Sequence, residues 1–146
     1  MGIYSDYLVN KIVDAAFRGQ PFSFPATVYV GLMTAAETAA GGGTEVSGGA
    51  YARVAVAAAL ANWAGTQGAG TTAASTGTSA TTSNNGTITF PAPAANWGTI
   101  VGIGIFDAAT AGNLLFYASL VVSKTVNNGD PAPDFAPGAI SFQIDG

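Results

Sequence analysis

The chain has 146 residues, of which four are basic and eight acidic, with no His and no Cys. That composition excludes a Ser-His-Asp triad, a cysteine nucleophile and any imidazole or thiolate metal site. A net charge of −4 with only four cations argues against a nucleic-acid binder, which needs a basic stripe, and against adhesion to anionic membranes.

The length fits one domain, residues 1–146, able to bury roughly 70 % of its unfolded surface without a disulfide or metal. Met1–Phe17 carries Asp6 and Asp14 and has no basic n-region, so it is not expected to be a secretory signal. The longest apolar run, Val54–Ala61, is far short of the ~20 residues of a membrane-spanning helix. Zero Cys identifies no compartment.

Residues 5–18 read as a helix. Ser5 is the N-cap, Asp6 sits where the helix dipole favours an anion, and Tyr4, Leu8, Ile12 and Ala15 recur at helical spacing, widened by Val9, Val13 and Phe17. Gly19 is placed for a left-handed C-cap and Pro21 prevents continuation. Such a helix either plugs one end of a sheet domain, the plainer expectation, or docks on a neighbouring subunit.

After Pro25 the period becomes two. Strands are expected at Thr27–Met33, Tyr51–Ala58, Thr87–Phe90, Thr99–Phe106, Leu114–Val122 and Ala139–Ile144. Gly98, Gly102 and Gly104 in the fourth of these point to a bulge or a close backbone approach. Asp107–Asn113 and Asn127–Asp130 have turn chemistry, and Pro131, Pro133 and Pro137 stiffen the loop that follows. The fold class expected is mainly β: an antiparallel β-sandwich, jelly-roll-like, with one short N-terminal helix and long Gly/Ser/Thr-rich loops. The low-complexity segment 65–86 reads as an insertion, either flexible or ordered by something outside the subunit. No charge lies between Arg53 and Asp107, so much of that stretch is expected to face other protein.

Motifs for chemistry are sparse. Gly43–Gly48 has phosphate-loop glycine spacing, but Gly49 stands where Lys belongs. Glu37 with Glu45, and Asp130 with Asp134, are acid pairs on shared loops. They read as solvated charges rather than a glycosidase dyad or a Ca²⁺ site. The aromatic residues read as core and subunit interface rather than a ligand platform, with Tyr4, Tyr7, Trp63 and Trp97 as candidate interface residues. Arg53 is singled out with them. It is an isolated strand cation that either pairs with an acid, Glu45 or one on a neighbouring subunit, or stands exposed.

Several segments carry a family resemblance: Tyr4-Ser5-Asp6-Tyr7-Leu8, Pro25–Leu32, Gly42–Val54, Trp97-Gly98-Thr99, Gly104–Ala109, Gly112–Tyr117 and Lys124–Asp130. Through these the chain resembles small tailed-bacteriophage virion structural proteins over most of its length, failing over Gly65–Ser83. The resemblance implies a non-enzymatic virion component assembled in the host cytoplasm, with no active site and no cofactor to carry over. The leading expectation is a capsid decoration (cement) protein, trimeric, contacting further copies of itself and the major capsid protein. The alternatives are a tail component (tail fibre, collar or baseplate adaptor) contacting tail proteins, and a carbohydrate-binding host-attachment module.

Overall fold

The structure, a computed structural model, describes residues 3–144. Its elements in chain order are β1 (Ile3–Tyr4), α1 (Asp6–Phe17), β2 (Thr27–Ala35), β3 (Thr44–Glu45), β4 (Val54–Ala57), β5 (Thr81–Ser83), β6 (Ile88–Thr89), β7 (Gly98–Phe106), β8 (Leu114–Val126), β9 (Asp134–Phe135) and β10 (Ser141–Gln143). All strand pairs are antiparallel.

One six-stranded sheet in the order β1-β8-β7-β2-β3, with β4 also on β2, forms the main layer. Val30 and Leu32 of β2, Ile100, Ile103 and Ile105 of β7, and Val126 of β8 bury one of its faces. Ile88, Phe90, Ile140 and Phe142 cover them. Ile88 and Phe142 belong to two ribbons, β6–β9 and β5–β10, while Phe90 follows β6 and Ile140 immediately precedes β10. The result is the mainly β, antiparallel, two-layered body expected. Its second layer is a pair of two-stranded ribbons rather than the continuous sheet of a jelly roll.

The glycines of β7 do what strand glycines do. Gly104 lies opposite Gly31 of β2, and a Cβ on Gly102 would sit 2.8 Å from the Ala118 carbonyl oxygen. The β7–β8 register shifts between Ile100 and Gly102. That irregularity moves the core-facing positions from even to odd, so Ile100, Ile103 and Ile105 share one face. Opposite it, β8 bows outward and leaves Val121 and Val122 in solvent.

The ends of α1 follow its sequence. The Ser5 hydroxyl accepts from the Leu8 N–H at 3.2 Å and donates to the Leu114 carbonyl, so a buried serine caps the helix and ties it to β8. Gly19 takes φ +66° after the last turn. Replacing Ser5 by Ala is expected to cost about 1–2 kcal/mol, read as a lowered urea midpoint. An unchanged midpoint would remove the cap from the account. The apolar stripe, by contrast, is mostly unused. Leu8 is buried, while Ile12, Val13 and Phe17 are exposed. The plainer expectation, a helix plugging the sheet end, holds for its first turn alone.

Segment 65–86 is not a structureless insertion. Its last part forms β5, and the rest is closed by its own side chains. Thr71 Oγ1 accepts from the Gly65 N–H, Thr66 Oγ1 accepts from the Thr76 N–H, and Asn85 Nδ2 donates to the Leu60 and Thr71 carbonyls. Short hydroxyl and amide side chains substitute here for a β-ladder, which is why the composition gives no strand signal.

Candidate functional site

The densest polar cluster lies on the edge of β2, where β3 and β4 pair with the same strand and leave a gap at Gly31–Leu32. Glu45 ends β3, and Tyr51 and Arg53 precede β4. Tyr51 fills the gap. The Leu32 N–H donates to its hydroxyl at 2.8 Å, and that hydroxyl donates to Glu45 Oε1 at 2.7 Å. Arg53 completes the cluster, with Nε and Nη2 each 2.8 Å from a Glu45 oxygen. This is the fork geometry that makes an Arg–carboxylate pair strong and directional. Its Nη1 donates to the Ala108 and Ala111 carbonyls at 2.7 and 2.9 Å. The guanidinium also stacks 3.5 Å from the Phe106 ring centroid.

Glycine makes the stacking possible. A Cβ on Gly104 would sit 2.6 Å from Phe106 Cε2, and one on Gly31 would come within 2.8 Å of Glu45 Oε1. Arg53 therefore binds four segments together: β3, the β4 approach, the end of β7 and the β7–β8 turn. Of the alternatives the sequence left open, the structure shows pairing with Glu45 of the same chain. The expectation that Arg53 serves a subunit interface is corrected, because its side chain is 7 % exposed and four of its five N–H donors are bonded inside the chain.

Burial, and next the Glu45 carboxylate, push the Tyr51 phenol well above its ordinary range. The unfolded phenol ionises near pH 10. With the folded value higher, the stabilisation is complete below pH 10 and is lost as pH rises through the folded value, since only the unfolded chain releases its proton there. Stability is expected to decline above pH ~10, with a shallower decline in Tyr51→Phe. At neutral pH that variant is expected to lose about 1–2 kcal/mol, because the Leu32 N–H loses its acceptor. Parallel alkaline profiles for the two proteins would refute the assignment.

The other expected site residues are dispersed. Trp97 is 5 % exposed, its indole N–H donates to the Gly49 carbonyl at 2.9 Å, and its ring meets Tyr51 edge-on. It belongs to the core, and its candidacy as an interface residue is corrected. Trp63 is half-buried and walls an apolar cleft of about 170 Å³ with Val28, Ile105, Phe116 and Phe142. The polar groups nearby are already used, Asn62 on the Ala57 carbonyl and Thr82 on that of Ala64. Tyr4 and Tyr7 are half-buried near α1, with Tyr7 edge-on to Phe22 and Lys11 5.7 Å above its ring.

The loop acids serve turns. Glu37 Oε2 accepts from the Gly43 N–H, and Asp130 Oδ2 from the Asn127 N–H. Among the described residues no three His, Cys, Asp or Glu side chains converge as a metal site would require.

Sequence reasoning missed Asn84. It is 1 % exposed and joins the two ribbons. Its amide donates to the Gly86 and Ala136 carbonyls at 2.8 and 2.9 Å and accepts from the Ile140 N–H at 2.9 Å. Nothing local marks it, because Asn in a Ser/Thr/Asn run reads as turn chemistry. The partnership of Tyr51 with Arg53 was legible in principle, since alternate residues of an extended segment share a face.

A family model described as Podophage GP4 fiber I protein gp80 matches residues 3–143. No curated protein matches the chain.

Proposed function

The chain belongs to the podophage GP4 fiber I protein gp80 family and is a structural component of a phage virion, and from that premise we propose that it is a subunit of a tail fibre. The observation that carries the reading is the family match, which takes in nearly the whole folded body, both sheet layers and α1 included. The surface agrees with a part meant to be covered. Phe17, Phe24, Leu60, Val121 and Val122 are all exposed on a chain with few charges to keep it apart from others.

In this role the polar cluster is internal bracing. Arg53 and Glu45 hold the β7–β8 turn against the sheet edge, so load on the fibre meets a rigid body rather than a loose hairpin. Tyr4, Tyr7 and Trp63 are the remaining candidates for contact with other virion proteins or further copies of the chain. Non-enzymatic action fits a fibre, which works by being held in place at many weak contacts.

Quantifying the protein in purified particles and locating it with a specific antibody by electron microscopy tests the proposal. Label at the tail with few copies per particle is expected. Label spread over the head at hundreds of copies would overturn it and favour shell decoration.

A further inference from the structure

We propose that the cleft beside Trp63, between the two layers, is a binding site for one small uncharged aromatic molecule, about a single ring in size. Its floor comes from the main sheet, where Ile105 of β7 lies in register between Val30 of β2 and Phe116 of β8. Val28, two positions from Val30, continues that face. Phe142 of β10 and Thr82 of β5, which pair with each other, line it from the second layer, and Trp63 walls it. Burial is graded across the lining. Ile105 and Phe142 are buried, Val28, Trp63 and Phe116 half-buried, and Ala58 and Ile144 exposed. The cleft therefore has its mouth at Ala58 and Ile144 and its bottom in the core, so a guest can enter without a lid opening.

Size, polarity and the aromatic lining decide the class of guest. The cleft holds about 170 Å³. That is close to the ~150 Å³ of an apolar cavity that takes up benzene, and below the roughly 300 Å³ at which drug-sized sites begin. A nucleotide or an oligosaccharide does not fit. The lining presents only apolar surface. Its one side-chain hydroxyl, that of Thr82, donates to the Ala64 carbonyl at 2.7 Å. Water in the cleft finds little to bond, and an apolar guest gains by displacing it. None of the lining residues is charged, so an ion would lose its water and find no partner. The rings of Phe116 and Phe142 stand 5.2 Å apart between centroids, tilted by 45°. With Trp63 they offer faces and edges to one more ring, which favours an aromatic guest over an aliphatic one.

The site goes beyond the fibre reading and is tested on the purified full-length chain, with fluorobenzene as the probe. Titration followed by fluorine NMR is expected to give a saturable shift, with a Kd on the order of 1 mM for so small a guest. Magnetisation transfer from the bound probe is expected at the methyl groups of Val28 and Ile105. Ala58→Phe puts a ring into the mouth from an exposed position. It is expected to weaken binding by about tenfold or more, with an unchanged circular-dichroism spectrum. Leu60→Ala, on the adjoining groove and outside the cleft, is expected to leave the affinity unchanged. A shift that stays linear up to the solubility of the probe would overturn the proposal. So would transfer to Val121 and Val122 in place of Val28 and Ile105, or full affinity in a folded Ala58→Phe protein. The transfer is read on the wild-type chain, so it decides the matter even where that variant fails to fold.

Discussion

Replacing Arg53 by Ala is expected to lower folding stability by about 3 kcal/mol, the low end for breaking a buried ion pair, because Glu45 keeps partial access to water. Three losses add. Glu45 remains with one donor, from Tyr51, where it had three. The Ala108 and Ala111 carbonyls lose a charged donor. The Phe106 ring loses the plane that covers it. For a chain of this length the change corresponds to roughly 10 °C in Tm. Arg53→Met separates the parts, since it keeps much of the stacking and removes every hydrogen bond. Adding Glu45→Gln to Arg53→Met is expected to recover part of the loss, because the orphaned charge goes with it. Urea unfolding of the four proteins measures the coupling. A loss below about 1 kcal/mol for Arg53→Ala would mean that the cluster behaves as a surface pair and braces nothing.

Asn84→Ala is expected to be comparably damaging, at about 3 kcal/mol, for a different reason. No charge is involved. The cost comes from the Gly86 and Ala136 carbonyls and the Ile140 N–H, which lose their partner where water has little access. The effect should be local first. Hydrogen exchange is expected to speed up at Ile140 and through β5 and β10 before the main sheet responds, because those ribbons are the thinner layer and Asn84 is their joint. Uniform acceleration over the whole chain would show that the ribbons and the sheet unfold as one unit, and that Asn84 has no separate role.

The two predictions differ in how far the sequence foreshadows them. Arg53 stood out as a lone cation in a charge-poor strand, for which pairing with Glu45 or with an acid of a neighbouring subunit, and plain exposure, were all open. The helix limits, its Ser5 cap and Gly19 stop, the hairpin turn at Asp107–Asn113 and the meaning of the β7 glycines were likewise legible. Each is a local rule, in which a residue's own backbone preference or its neighbours within one turn carry the signal. Asn84 offered no such signal, since its partners at Ala136 and Ile140 lie more than fifty positions away.

Composition and periodicity were enough to give the helix, the longer strands and the chemistry that is missing: a mainly β body with one capped helix, and no histidine or cysteine for a conventional catalytic or metal centre. The destination of the conspicuous side chains depended on packing between distant segments. Trp97 read as an interface residue, and Arg53 as a strand cation either paired with an acid or exposed. One lies in the core, and the other is consumed by two carbonyls on a turn more than fifty residues along the chain. Periodicity says which face of a strand a residue occupies, but not which face becomes the inside. That choice follows from which distant segments fold over it, and their contact energies are summed over the whole chain rather than written into any window of it.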